Sequence, residues 1–207
     1  MSDVLIVCPK HRGVKPECKE LAANVSGSLI LVIVSLILLR PLMVDQILQR
    51  ADAYAAAGQS DESQRQCEKA LLIDGENSRA WYQQARLCLA AGDRAEAYAA
   101  YQRATQADNT NIPAHFELAQ MYVDDGQYQA AVPYLEQVRK LGPEKGKDGR
   151  PSSYHRDSLL LLTLCYEKMG NSSKTEFTQE ELRIFYPGYG SAPDRLTQLK
   201  AGPATHR

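Results

Sequence analysis

Residues 78–111 read SRAWYQQARLCLAAGDRAEAYAAYQRATQADNTN, and this stretch decides the fold. It holds two apolar helical patterns, about Ser78 to Ala91 and Arg94 to Ala107, separated by Gly92 where the backbone needs a tight or left-handed turn. The same marks recur one period away on each side. Gly58, Gly92 and Gly126 are equally spaced along the chain, and Ala51, Ala85 and Ala119 keep the same interval, each on the helix leading into its glycine. A period of this size, between 20 and 50 positions, means stacked helical hairpins rather than a catalytic globule, which shifts the expected function towards binding or scaffolding.

The pattern predicts helices over about Val44 to Ala57 and Ser60 to Ile73, then the pair just quoted, then Ile112 to Asp125 and Tyr128 to Lys140. Ala51, Ala85 and Ala119 in the first helices face Ala70, Ala97, Ala104 and Ala131 in the second, where small side chains let two backbones approach. Tyr54, Trp81, Tyr101, Leu118, Tyr122 and Leu135 fill the space around them. These columns resemble the tetratricopeptide repeat. The second unit matches through Trp81, Ala85, Gly92, Ala97, Tyr101 and Ala104, and the third through Leu118, Ala119, Tyr122, Gly126, Ala131 and Pro143. In the first, Ser63 and Cys67 stand in columns that the family fills with alanine and an aromatic.

A fourth unit emerges if an insertion is allowed, because Gly170 and Pro187 are displaced from Gly126 and Pro143 by one and the same longer interval. Its helices are expected over about Ser153 to Met169 and Ser172 to Phe185, with Thr163 and Thr175 in place of small alanines. The insertion, 143–152, is rich in Gly, Pro and charge and reads as a surface loop, with Lys145, Lys147 and Arg150 available for a partner contact. Its Gly142-x-x-x-Gly146-Lys147 is one position short of a phosphate-binding loop, is followed by Asp148 and follows a helix, so nucleotide binding is rejected.

Upstream of the array, the run from Leu21 to Leu39 carries no formal charge, and from Leu29 to Leu39 every side chain but Ser35 is Leu, Ile or Val. Its length matches the roughly 20 residues a helix needs to cross a bilayer, and the large apolar side chains together contribute roughly −3 to −6 kcal/mol to insertion. No small-x-small cleavage site follows Leu39, which favours an uncleaved anchor over a signal peptide. Lys10, Arg12, Lys15 and Lys19 precede the span while Arg40 and Arg50 follow it, placing the amino terminus in the cytoplasm and the array opposite. The expected architecture is all-α. A cytoplasmic tail (1–20) and one transmembrane helix (21–40) lead into a right-handed tetratricopeptide superhelix of three to four hairpins (44–190; repeats about 44–77, 78–111, 112–143 and 153–187). A short cap and tail follow (191–207), with Leu196 and Leu199 at a helical interval.

The 24 basic and 25 acidic side chains carry no excess that would suit nucleic acid. No nucleophile and base stand at a telling spacing, so no catalytic site, small-molecule substrate or cofactor is expected. Cys8, His11 and Cys18 are too irregularly spaced for zinc, and no metal site is expected. Cys67 and Cys88 fall on helices that should be neighbours, which allows a disulfide in an oxidising compartment. The resemblance implies a concave face lined by the first helix of each unit, here Leu48, Asp52, Tyr82, Arg86, Leu89, Phe116, Gln120 and Val123. Such a mixture suits an extended or helical segment of another protein. Members of the family that clamp terminal carboxylates carry Lys and Asn where this chain has Leu48 and Asp52, so that mode is not expected. The function these readings imply is a membrane-anchored scaffold or adaptor in a bacterial inner membrane, its array periplasmic, recruiting proteins to a membrane complex. A permanent accessory subunit of such a complex is the alternative.

Overall fold

The structure is a computed structural model in which residues 38–142 and 153–187 are described. The chain divides into two units, Met1–Met43 and Val44–Arg207. Every regular element among the described residues is helical: α1 (38–56), α2 (Ser60–Ile73), α3 (Ser78–Ala91), α4 (Arg94–Ala107), α5 (Ile112–Asp124), α6 (Tyr128–Leu141), α7 (Ser153–Lys168) and α8 (Ser172–Phe185). The predicted ends hold to within one position, except that 38–43, expected as membrane span and link, are already helical. No helix among the described residues is long and apolar enough to cross a membrane. Positions 21–37 of the expected span, the insertion with Lys145, Lys147 and Arg150, and the expected cap at 191–207 lie outside the described residues.

Each hairpin turns by one device. Gly92, with φ of 87°, closes α3 as a left-handed cap, and the Asp93 amide donates to the Cys88 carbonyl at 2.9 Å. Gln59 to Tyr54, Gln127 to Tyr122 and Asn171 to Tyr166 repeat that bond after Gly58, Gly126 and Gly170. A Cβ would meet nothing at these glycines, so positive φ and not crowding demands glycine there. Entry into the helices is fixed by side-chain caps: Asn77, Asp93, Asn111 and Asn171 accept from the amides of Ala80, Glu96, Ala114 and Lys174.

The alanine columns pack as expected. Ala85, Ala97, Ala104, Ala119 and Ala131 are wholly buried, Tyr101, Leu118 and Leu135 fill the spaces beside them, and each second helix packs on the first helix of the next hairpin. Within the fourth hairpin α7 is buried on every side from Leu159 to Tyr166, flanked by α5, α6 and α8. Thr163 fits its alanine column because its hydroxyl donates to the Leu159 carbonyl and meets the Thr178 hydroxyl at 3.0 Å; Thr175 likewise donates to Asn171. A polar group in a core is tolerated when it finds such a partner. On α8, exposed Gln179 stands in the column of Tyr101 and Leu135, and exposed Glu176 in that of Tyr98 and Val132. At these two columns α8 is polar where the earlier second helices are apolar, while Phe177, Ile184 and Phe185 of the same helix stay exposed.

Two histidines are buried in this packing. His115, in the column of Trp81, lies against Tyr134, and His155 bonds the Tyr186 hydroxyl at 2.9 Å through Nδ1 and meets Phe185 edge-on. Burial holds both imidazoles below the usual histidine range, outweighing the Asp108 carboxylate at His115 and Glu181 at His155. The unfolded chain thus binds more protons than the folded one as the pH falls through about 6.5, and stability that is fully present above that pH is lost below it. Thermal melting temperatures are expected to decline between pH 7.5 and 5, and His115→Leu should flatten that dependence; an unchanged slope would count against the assignment.

Candidate functional site: the concave face

Leu48 leaves the set of predicted groove residues. At 1% exposure it packs with Val44, Ala70 and Ala80, because its apolar side chain seals the joint between the first two hairpins. Asp52 is exposed, but Arg79 of α3 holds one carboxylate oxygen at 2.8 Å while the Gln83 amide donates to the other. Arg79 also reaches Asp45 at 2.6 Å, so one guanidinium ties α3 to two turns of α1. These surface pairs orient side chains more than they stabilise the fold.

Asp52 and Arg86 are brought together. With Ala55, Ser60, Ser63, Gln83, Leu87 and Ala90 they line a cavity of about 180 Å³ between the first two hairpins. The Ser63 hydroxyl donates to the Ala51 carbonyl at 2.9 Å. Arg86 extends over the Tyr82 ring at 5.9 Å, and Tyr82 packs on Tyr101 at the same separation. Glu117 lies beyond them. Burial raises its carboxyl above the ordinary glutamate range, and the Arg86 guanidinium offsets part of that rise. Leu89 and Gln120 are half-buried along the same helices.

Phe116 and Val123 behave differently from these. They are 6% and 8% exposed, and Phe116 meets the ring of Tyr154 from α7 edge-on at 5.3 Å. Burial raises the Tyr82 and Tyr154 phenols above the tyrosine range. The sequence reading missed Gln83, Glu117 and Tyr154. A signal existed for two of them, since Gln83 and Glu117 share the column directly after Tyr82 and Phe116. None existed for Tyr154, whose column elsewhere holds the turn residues Glu76 and Thr110.

The disulfide allowed by the sequence is not formed. Cys67, Cys88 and Cys165 are free; Cys67 points at Gln83 and Cys88 at Glu96. Burial lifts the Cys67 thiol to about 11 and that of Cys165 to about 12, so both are poor nucleophiles.

Two family models described as tetratricopeptide repeat match the sequence, over residues 48–112 and 88–147. Among curated proteins none matches. Among solved structures, a tetratricopeptide repeat protein from Parabacteroides merdae superposes with a TM-score of 0.59 at 16% identity, covering 75% of this chain and 57% of its own. The pilF protein of Pseudomonas aeruginosa gives 0.57 at 15% identity over 76% of this chain; the match spans 66% of the pilF chain, just under two thirds. YrrB, described as a TPR protein with an unusual peptide-binding site, gives 0.53 at 18% identity over 71% of each chain. At these identities the likeness is one of fold. Matched by repeat models from residue 48 to 147 and folded as these relatives are, the chain carries tetratricopeptide repeats.

Proposed function

We propose that the protein is a non-enzymatic scaffold or adaptor whose concave face binds an extended or helical segment of a partner protein. The observation that carries this reading is the open stretch of Asp52, Tyr82, Arg86, Leu89 and Gln120 along successive first helices, with a cavity beneath Asp52 and Arg86. It combines apolar contact area, an exposed guanidinium and groups able to bond a peptide backbone, which is what peptide recognition by a rigid surface needs. Lys145, Lys147 and Arg150 of the insertion are proposed as a second contact.

The uncharged run 21–39 supports a single membrane span at 21–40, amino terminus in the cytoplasm and array on the periplasmic side of a bacterial inner membrane, where it would recruit partners to a membrane complex. Exposed Leu38, Leu39, Leu42 and Met43 continue the apolar character of that run along the chain. Retention in carbonate-washed membranes tests the anchor, and release would remove it.

The groove is tested by photo-crosslinking in native membranes from positions 86 and 120, compared with positions 65 and 99 on the exposed faces of α2 and α4. Capture of one partner from the first pair is expected, reduced at least about tenfold by Arg79→Glu, which removes the cation that orients Asp52. Capture from positions 65 and 99 alone would overturn the assignment.

A further inference from the structure

The second helices of the hairpins, α2, α4, α6 and α8, share two exposed columns about two helical turns apart. The first holds Arg65, Ala99, Pro133 and Phe177, and the second Leu72, Gln106, Lys140 and Ile184. Only α8 has a large apolar side chain in both, Phe177 at 56% exposure and Ile184 at 64%, and on one helix they form a single stripe. Arg139 covers one side of Phe177, its guanidinium 5.6 Å from the ring centre, and Phe177 lines a cavity of about 350 Å³ together with Val132 of α6 and Tyr166 of α7. The side of α8 that would continue the stack is different, because exposed Glu176 and Gln179 make it polar. A further helix stacked there would bury a carboxylate and an amide, whereas a segment laid on the stripe would bury an aromatic ring and aliphatic carbon.

We propose that the occupant of this stripe is the chain's own segment 188–200, which turns back along α8 and lays Leu196 and Leu199 over Ile184 and Phe177. The segment starts in the right place, since α8 ends at Phe185, directly after Ile184. It also has the reach. From Phe177 to Phe185 the helix is about 12 Å long at about 1.5 Å per residue, while the chain from Pro187 to Leu196 can span about 30 Å at about 3.3 Å per residue. The intervening Pro187-Gly188-Tyr189-Gly190 has the composition of a chain reversal. Leu196 and Leu199 are the large aliphatic side chains of 188–207, and Arg195 and Lys200 flank them. On α8 the carboxylates match that charge: Glu176 and Glu180 are exposed along one border of the stripe, Glu180 shared with Arg183 and Glu176 in no ion pair among the described residues. The stripe lies outside the concave face, so the proposal is independent of what that face binds and leaves it unobstructed.

The test places the photoreactive analogue p-benzoylphenylalanine at position 177 of the full-length chain, where it keeps an aromatic ring, and separately at exposed position 179 on the other side of α8. An equal mixture of heavy-nitrogen-labelled and unlabelled copies is irradiated and digested, and mass spectrometry maps the crosslinks. Position 177 is expected to capture residues 193–200 of its own copy at least about fivefold more often than position 179 does, although both are about equally close to the segment along the chain. Leu196→Asp combined with Leu199→Asp should lower that yield at least about fivefold, because the apolar contact is lost. Capture mainly from position 179 would mean that the segment stacks on the end of the array, and crosslinks from position 177 between labelled and unlabelled copies would make a second copy the occupant. Either result would overturn the proposal, as would no capture of 193–200 from position 177 or an undiminished yield in the aspartate variant. Helical circular dichroism shows that this variant is folded; should it not fold, the comparison of positions 177 and 179 still decides.

Discussion

Tyr101→Ala is expected to lower the stability of the array by about 3–5 kcal/mol, the range for truncating a large aromatic in a core. The ring is wholly buried among Ala85, Ala97, Leu118 and Met121, at the joint of the second and third hairpins, so its loss opens a cavity that helices already in contact cannot close. The hydroxyl contributes in the opposite sense. It is buried without a hydrogen-bond partner, and a polar group left so is costly, which makes Tyr101→Phe neutral or stabilising. Denaturant midpoints followed by far-ultraviolet circular dichroism check both. A loss on Tyr101→Phe comparable to that on Tyr101→Ala would mean that the hydroxyl has a partner.

Ala85→Leu should cost about 1–3 kcal/mol through overpacking. Ala85 is fully buried against α4, where Ala97 and Ala100 complete the contact, and three more carbons fit only if the two helices of the hairpin separate. Ala99→Leu supplies the control, because Ala99 is exposed on the same hairpin and its substitution should change stability by less than about 0.5 kcal/mol. Equal effects at the two positions would show that close approach is not what the small column provides. In a linear array such losses propagate to neighbouring hairpins, so the midpoint of the whole transition is the quantity to compare.

Both outcomes turn on columns visible in the sequence, and the reason is physical. In a solenoid each unit touches only its neighbours, so the same residue faces the same surroundings once per repeat and periodicity reports burial directly. That is why the helix boundaries, the left-handed glycines and the alanine contacts of the first three hairpins are legible in the sequence. The fourth was readable too, once its markers were seen to shift together. Its two threonines looked like defects in the columns; their hydroxyls prove to be satisfied within one turn of their own helices and across to Thr178.

What the periodicity leaves undetermined is any contact that does not repeat. Leu48 shares a column with Tyr82 and Phe116, yet it is sealed in the core while Tyr82 stays half-open, because the groups opposite each position differ from unit to unit. Phe116 is covered by Tyr154, from the following hairpin, whose column elsewhere is a turn. Gln83 and Arg79 converge on Asp52 from the neighbouring hairpin, and the thiols of Cys67 and Cys88 turn to separate polar partners instead of to each other. The sequence by itself determined the stack of hairpins, since local helix patterning and a constant repeat are enough to specify it. Only the tertiary structure decided which part of the concave face is open, because that depends on side chains from different hairpins meeting in space, and no spacing along the chain encodes it.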